Sequence, residues 1–174
     1  MPITEPEEVE RYHALIRPMM RDEIHREYEF SAKWIRDHRW KVVPVEEGGR
    51  FNPEQRNAII SALSTAGFTE CLAIATESLG EMPTCYRVPI DESGFQDFNR
   101  ECGIFRFVLT DEKRSWAISC NEWYNLYAGE PELVEAMLGK SIEQARSEFF
   151  EFALLLAKPP DDALVQVAQR YAEL

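Results

Sequence analysis

Apolar residues recur every three to four positions through residues 6–38, at Val9, Tyr12, Ile16, Met19/Met20, Ile24 and Ile35, with Ser31 in the same row and charged residues between. This is the period of an amphipathic helix, and Pro18 inside the run predicts a kink or a division there. WKVVPV (40–45) reads as extended, and Pro44 places it at a sheet edge or a strand end. EEGGR then reads as a turn. Asn52-Pro53 with Gln55 predicts a capped helix start, with Ala58, Ile59, Ala62, Leu63 and Ala66 turned inward and Gly67 as the stop.

TECLAIAT (69–76) and TCYRVPI (84–90) predict strands, and DESGFQDFNREC a short helix weakened by Gly94. GIFRFVLT (103–110) and RSWAISC (114–120), joined by DEKR, predict a hairpin. Phe105, Phe107 and Leu109 share one face of it, and Trp116, Ile118 and Cys120 share one face of the partner strand. The C-terminal part is helical. Pro131 starts one helix and Gly139 ends it, Ser141 to Gln144 is a capping box, and Asp161 caps the last helix. The predicted stripes are Leu133, Val134, Met137 and Leu138, then Ile142, Ala145, Phe149, Phe152, Ala153 and Leu156, then Leu164, Val167, Ala168 and Tyr171. The expected class is α+β: a mainly antiparallel sheet of four or five strands, flanked by a long N-terminal helical region and C-terminal helices. Residues 1–174 make one domain, with 1–5 as a disordered tail.

The segment CNEWYNLYAGEPE (120–132) fits neither pattern cleanly. As a strand it puts Trp123 and Tyr127 on one side and Tyr124 and Leu126 on the other; as a helical turn from Asn121 to Gly129 it carries the same aromatic surplus. Either a flanking helix covers that surplus or it is an exposed anchor for a partner, since Trp and Tyr are enriched at interfaces. The second reading makes Glu122, Trp123, Tyr124, Tyr127, Glu130 and Glu132 the candidate partner-binding residues.

Charge narrows the partners. The net charge is −12; residues 1–56 carry 10 Lys and Arg against 12 Asp and Glu, and residues 57–174 carry 9 against 19. That sign disfavours nucleic acid and suits either solubility or a basic protein partner. No segment approaches a membrane span, the acidic N-terminus is unlike a signal peptide, and Cys71, Cys85, Cys102 and Cys120 lack zinc spacing. A soluble cytoplasmic protein with reduced thiols is expected.

Candidate chemistry is sparse. His13, His25 and His38 point in different directions along a helical region and do not converge on a metal. Asp22, His25 and Glu29 share a helix face, a pattern that solvated charged helices produce by chance. Cys120 is the one thiol beside polar groups, but the neighbouring Glu122 opposes thiolate formation. No phosphate loop, dinucleotide fingerprint, serine elbow or zinc-protease motif occurs. No catalytic residue, cofactor or metal is assigned.

The stretch SWAISCNEWYNLYAGEPELVEAMLGKSIEQARSEFFEFA resembles the C-terminal pattern of small acidic bacterial immunity-like proteins associated with toxin systems. Trp116–Ile118, Trp123–Tyr127, Ala128–Gly129, Leu133–Gly139 and Ala145–Phe149 carry the likeness. It implies a non-catalytic protein that occludes a basic toxin domain. The alternatives are a small enzyme assembled from scattered His, Cys and acidic residues, and a homodimeric adaptor; the oligomeric state is left open.

Overall fold

The computed structural model describes residues 1–22, 28–46, 50–102, 105–157 and 162–174. The N-terminal helical period is divided where Pro18 falls. Helix α1 (Pro6–Ile16) runs into a 3-10 turn, Arg17–Met19, and helix α2 (Ala32–His38) starts on Ser31, whose side chain accepts from the Trp34 amide. Between them, Met20 bridges to Phe30 and the described residues are not helical. The division at Pro18 was expected; the non-helical described residues that follow it, up to Ser31, were not.

Six strands follow: β1 (Lys41–Glu46), β2 (Glu70–Ala75), β3 (Cys85–Pro89), β4 (Phe107–Thr110), β5 (Trp116–Cys120) and β6 (Tyr124–Gly129). They form one sheet in the order β1-β6-β5-β4-β2-β3, every neighbouring pair antiparallel. The count is six rather than four or five because the aromatic segment is itself a strand. Pro44 does sit on an edge strand, where its missing N–H costs least. Helix α3 (Pro53–Thr65) opens on the full Asn52–Gln55 capping box. Helices α4 (Glu92–Cys102), α5 (Pro131–Leu138), α6 (Ile142–Leu156) and α7 (Ala163–Ala172) complete the chain. The expected turn at 47–49 and the expected cap Asp161 lie outside the described residues.

Both faces of the sheet are covered. Val42, Leu72, Ile74, Val108, Ala117 and Leu126 point into a core with Tyr12, Ile35, Phe149 and Tyr171 of α1, α2, α6 and α7. Val43, Ala73, Phe107, Leu109, Trp116 and Ile118 point into a second core with Ile59, Leu63, Phe95 and Met137 of α3, α4 and α5. A strand between two such layers needs apolar residues at consecutive positions, which is why β4, β5 and β6 are buried throughout. Gly94 allows α4 to sit tightly on β3: a Cβ there would stand 2.2 Å from the Pro89 carbonyl oxygen. The residue that weakens α4 by propensity is thus required by packing.

Residues 1–5, expected as a disordered tail, lie along β3. The Ile3 amide donates to the Cys85 carbonyl at 2.8 Å, the Arg87 amide donates to the Met1 carbonyl at 2.8 Å, and Ile3 is buried. With the bond from the Met1 ammonium to the Arg87 carbonyl at 2.6 Å, three hydrogen bonds to β3 and one buried isoleucine hold this short segment. No helix among the described residues is long and apolar enough to cross a membrane.

Candidate functional site

Strand β6 is started by two amides. Asn121 Oδ1 accepts from the Trp123 and Tyr124 backbone amides at 3.2 and 3.3 Å, and Asn125 Oδ1 accepts from the Asn121 amide at 3.3 Å. This side-chain mimicry of a backbone turn delivers the chain between β1 and β5. Tyr127 then lies between Val43 and Ile118 on one face, and Tyr124 packs edge-on against Phe149 on the other.

The six candidate partner-binding residues are therefore not one surface. Tyr124 and Tyr127 are 5% and 1% exposed, whereas Trp123 is 62% exposed. The two tyrosines are core residues and cannot touch a partner, which corrects the expectation for both. Glu122 and Trp123 remain at one end of β6, with Glu122 3.3 Å from Arg106. Glu130 and Glu132 are exposed at the other end. At about 3.3 Å per residue, Glu122 and Glu130 stand roughly 25 Å apart, so no ring of carboxylates surrounds an aromatic patch.

The nucleophile and metal candidates are occupied structurally. All four cysteines are free and buried. Burial pushes the Cys71 thiol well above its ordinary range, Cys85 to about 11 and Cys102 to about 12. Thiols in such surroundings stay protonated and unreactive near neutral pH. His13 is hydrogen-bonded to the Thr84 hydroxyl at 3.0 Å, and burial lowers its pKa. Glu29 is fully buried, its carboxylate gripped by Arg21 at 2.8 Å and by Arg170. That pairing removes it from the Asp22–His25–Glu29 triple, whose His25 lies outside the described residues. Among the described residues, no group of three or more His, Cys, Asp and Glu is placed to hold a metal.

Two surface features emerge that sequence reasoning did not single out. The first is the outer side of α6. Phe150, Leu154, Leu155 and Leu156 are exposed by 38, 53, 84 and 46%. Phe150 and Leu154, four apart, share the outer face with Glu143, and Glu151 falls between Leu154 and Leu155. The signal was present in FFEFALLL, which has more apolar positions than one buried stripe can use. Ala145, Phe149 and Ala153 take the inward stripe, with Ile142 and Phe152 half-buried beside it, while Leu156, expected in that stripe, is exposed at the end of the helix.

The second is a groove of about 800 Å³ across one end of the sheet. Trp116 and Lys41 both stand opposite Gly129, so the starts of β1 and β5 and the end of β6 meet there. Ala62, Ala66, Phe68 and Leu133 give it apolar walls; His38 and Arg114 bring positive or polar groups, and Glu130 and Glu132 bring carboxylates. His38 stacks on Trp34 with ring centroids 3.7 Å apart, and its Nδ1–H donates to the Trp34 carbonyl at 2.9 Å. The Arg114 guanidinium lies 4.8 Å from the centroid of the same indole. Nothing in the sequence marks this site, because its residues come from four separate segments.

Comparison with protein-family models, with curated proteins and with solved structures finds no match for the chain, so its reading rests on these residues.

Proposed function

We propose that the chain is a non-catalytic protein-binding protein that covers a basic surface of its partner, in the manner of the toxin-neutralising immunity proteins that residues 115–153 resemble. The observation that carries this reading is the exposed Phe150, Leu154 and Leu155 on the outer side of α6, with Glu143 and Glu151 among them. Large apolar side chains left in water, two of them neighbours at positions 150 and 154, mark an interaction surface. Acidic neighbours select a basic counterpart and speed its approach. A second copy of this chain is a poorer occupant. Pairing α6 with itself would bring both sets of glutamates together in a molecule of net charge −12.

The burial of the thiols and the pairing of Glu29 favour this reading over a small enzyme assembled from those groups. The test begins with capture of the partner from the source cells, followed by calorimetry with the purified partner. Leu154→Asp combined with Leu155→Asp is expected to cost about 2–4 kcal/mol of binding, as anchors at an interface centre do, with an unchanged fold. Equal affinity of the double variant would remove α6 from the interface.

A further inference from the structure

Arg114 is an unusual residue for an acidic protein. Although Glu130 and Glu132 line the same groove, among the described residues no ion pair or side-chain hydrogen bond holds its guanidinium, which lies against the Trp34 face, and its Nε is buried without a partner there. Its backbone is left-handed, φ 57°, and the only other non-glycine residue with positive φ among the described residues is Arg39, φ 55°, beside His38 and Trp40 at the same mouth. Glycine suits such backbone better than arginine, and outliers of this kind gather at ligand sites. Asp111 fixes the turn that presents Arg114: its carboxylate accepts from the Lys113 and Ser115 amides at 3.1 and 2.6 Å, and from the Ser115 hydroxyl at 3.0 Å.

The groove thus has a guanidinium seated on an indole and unpaired among the described residues, two exposed carboxylates at the start of α5, and apolar walls between helices α3 and α5. We propose that it is a binding site for a small zwitterion with an apolar body, of the amino-acid or short-peptide class. The ligand carboxylate pairs with Arg114, its ammonium faces Glu130 and Glu132, and its side chains lie on Ala62, Ala66, Phe68 and Leu133. A guanidinium is well suited to a carboxylate because it offers paired N–H donors in one plane. The volume of the groove falls in the range of small-molecule sites.

The test uses leucyl-leucine as the probe, with its N-acetyl and C-amide forms, titrated into the full chain and followed by calorimetry and ligand-observed NMR. Saturable binding of the free dipeptide is expected, weakened about tenfold or more by either blocking group, because each removes one charge-assisted pairing. Arg114→Gly and Arg114→Gln are expected to abolish the saturable signal. Arg114→Gly should also leave the melting temperature unchanged or raised, since it releases the left-handed constraint. The α6 variant Leu154→Asp with Leu155→Asp should bind the dipeptide normally, which separates this site from the protein-binding surface. Absence of saturation by about 10 mM, or equal binding of the C-amide form, would overturn the proposal.

Discussion

Replacing Tyr127 and replacing Trp123 should have opposite consequences, although the two aromatics are four residues apart. Tyr127 is 1% exposed, flanked by Val43 on β1 and Ile118 on β5, with its ring in the core that α3 and α5 close. A buried aromatic ring removes roughly 150–250 Å² from water, worth about 4–6 kcal/mol at about 25 cal/mol per Å². Truncations of buried aromatics to alanine cost about 3–5 kcal/mol. Tyr127→Ala should therefore lower the unfolding free energy by about 4 kcal/mol. For a chain of this size that is a fall in melting temperature of about 8–16 °C. Trp123 is 62% exposed on the β5–β6 turn, and its truncation should stay within about 0.5 kcal/mol. Urea unfolding read by circular dichroism, with the denaturant slope checked for constancy, gives both values. A cost below about 1 kcal/mol for Tyr127→Ala would refute the placement of β6 between β1 and β5 with both faces covered, as would a Trp123→Ala cost equal to it.

Glu29→Gln should destabilise the fold by about 3 kcal/mol, measured in the same assay. It leaves Arg21 and Arg170 without their buried carboxylate, while their own partial exposure limits the loss. Gly94→Ala should also be destabilising, by about 1–3 kcal/mol, despite alanine's better helix propensity, because the new methyl meets the Pro89 carbonyl at 2.2 Å; a stabilised variant would contradict the close seating of α4 on β3. Stability should fall with acid in two stages. Burial lowers the His13 pKa, so the neutral ring is favoured in the fold and its contribution is lost as pH drops below about 6.5. Glu8 beside Arg87, Glu92 beside Arg56 and Glu148 beside Lys140 are held below the usual carboxylate range, so their contributions persist above about pH 4 and vanish below it. Melting temperatures from pH 8 to 3 should show both stages, and His13→Gln should remove the first.

The elements with local signals were legible in the sequence. Asn52 and Gln55 announce the start of α3, Gly139 adopts φ 66° where α5 was expected to stop, and Trp116, Ile118 and Cys120 share a core face with Phe107 and Leu109. Ser141 caps α6 as expected, although Gln144 turns its side chain to Glu148 instead of closing the box. The failures are non-local. Whether Tyr124 and Tyr127 are both dry depends on helices covering both faces of the sheet, and β6 pairs with a strand some eighty residues earlier in the chain. The N-terminal residues found a free edge on β3 that no local pattern reveals. The groove was hidden for the same reason. Arg114 reads as a turn residue in DEKR, and only the folded chain brings it to Trp34, His38 and Glu130.

The most direct test of the proposed function is the association rate constant with the captured partner, measured by stopped flow across a series of ionic strengths. If an acidic surface is steered onto a basic one, the rate should be fast in dilute buffer and fall by about tenfold or more on approaching physiological salt, where the screening length shrinks to about 8 Å. The dissociation rate should change far less. An association rate that does not respond to salt would contradict the claim that charge directs this protein to its partner.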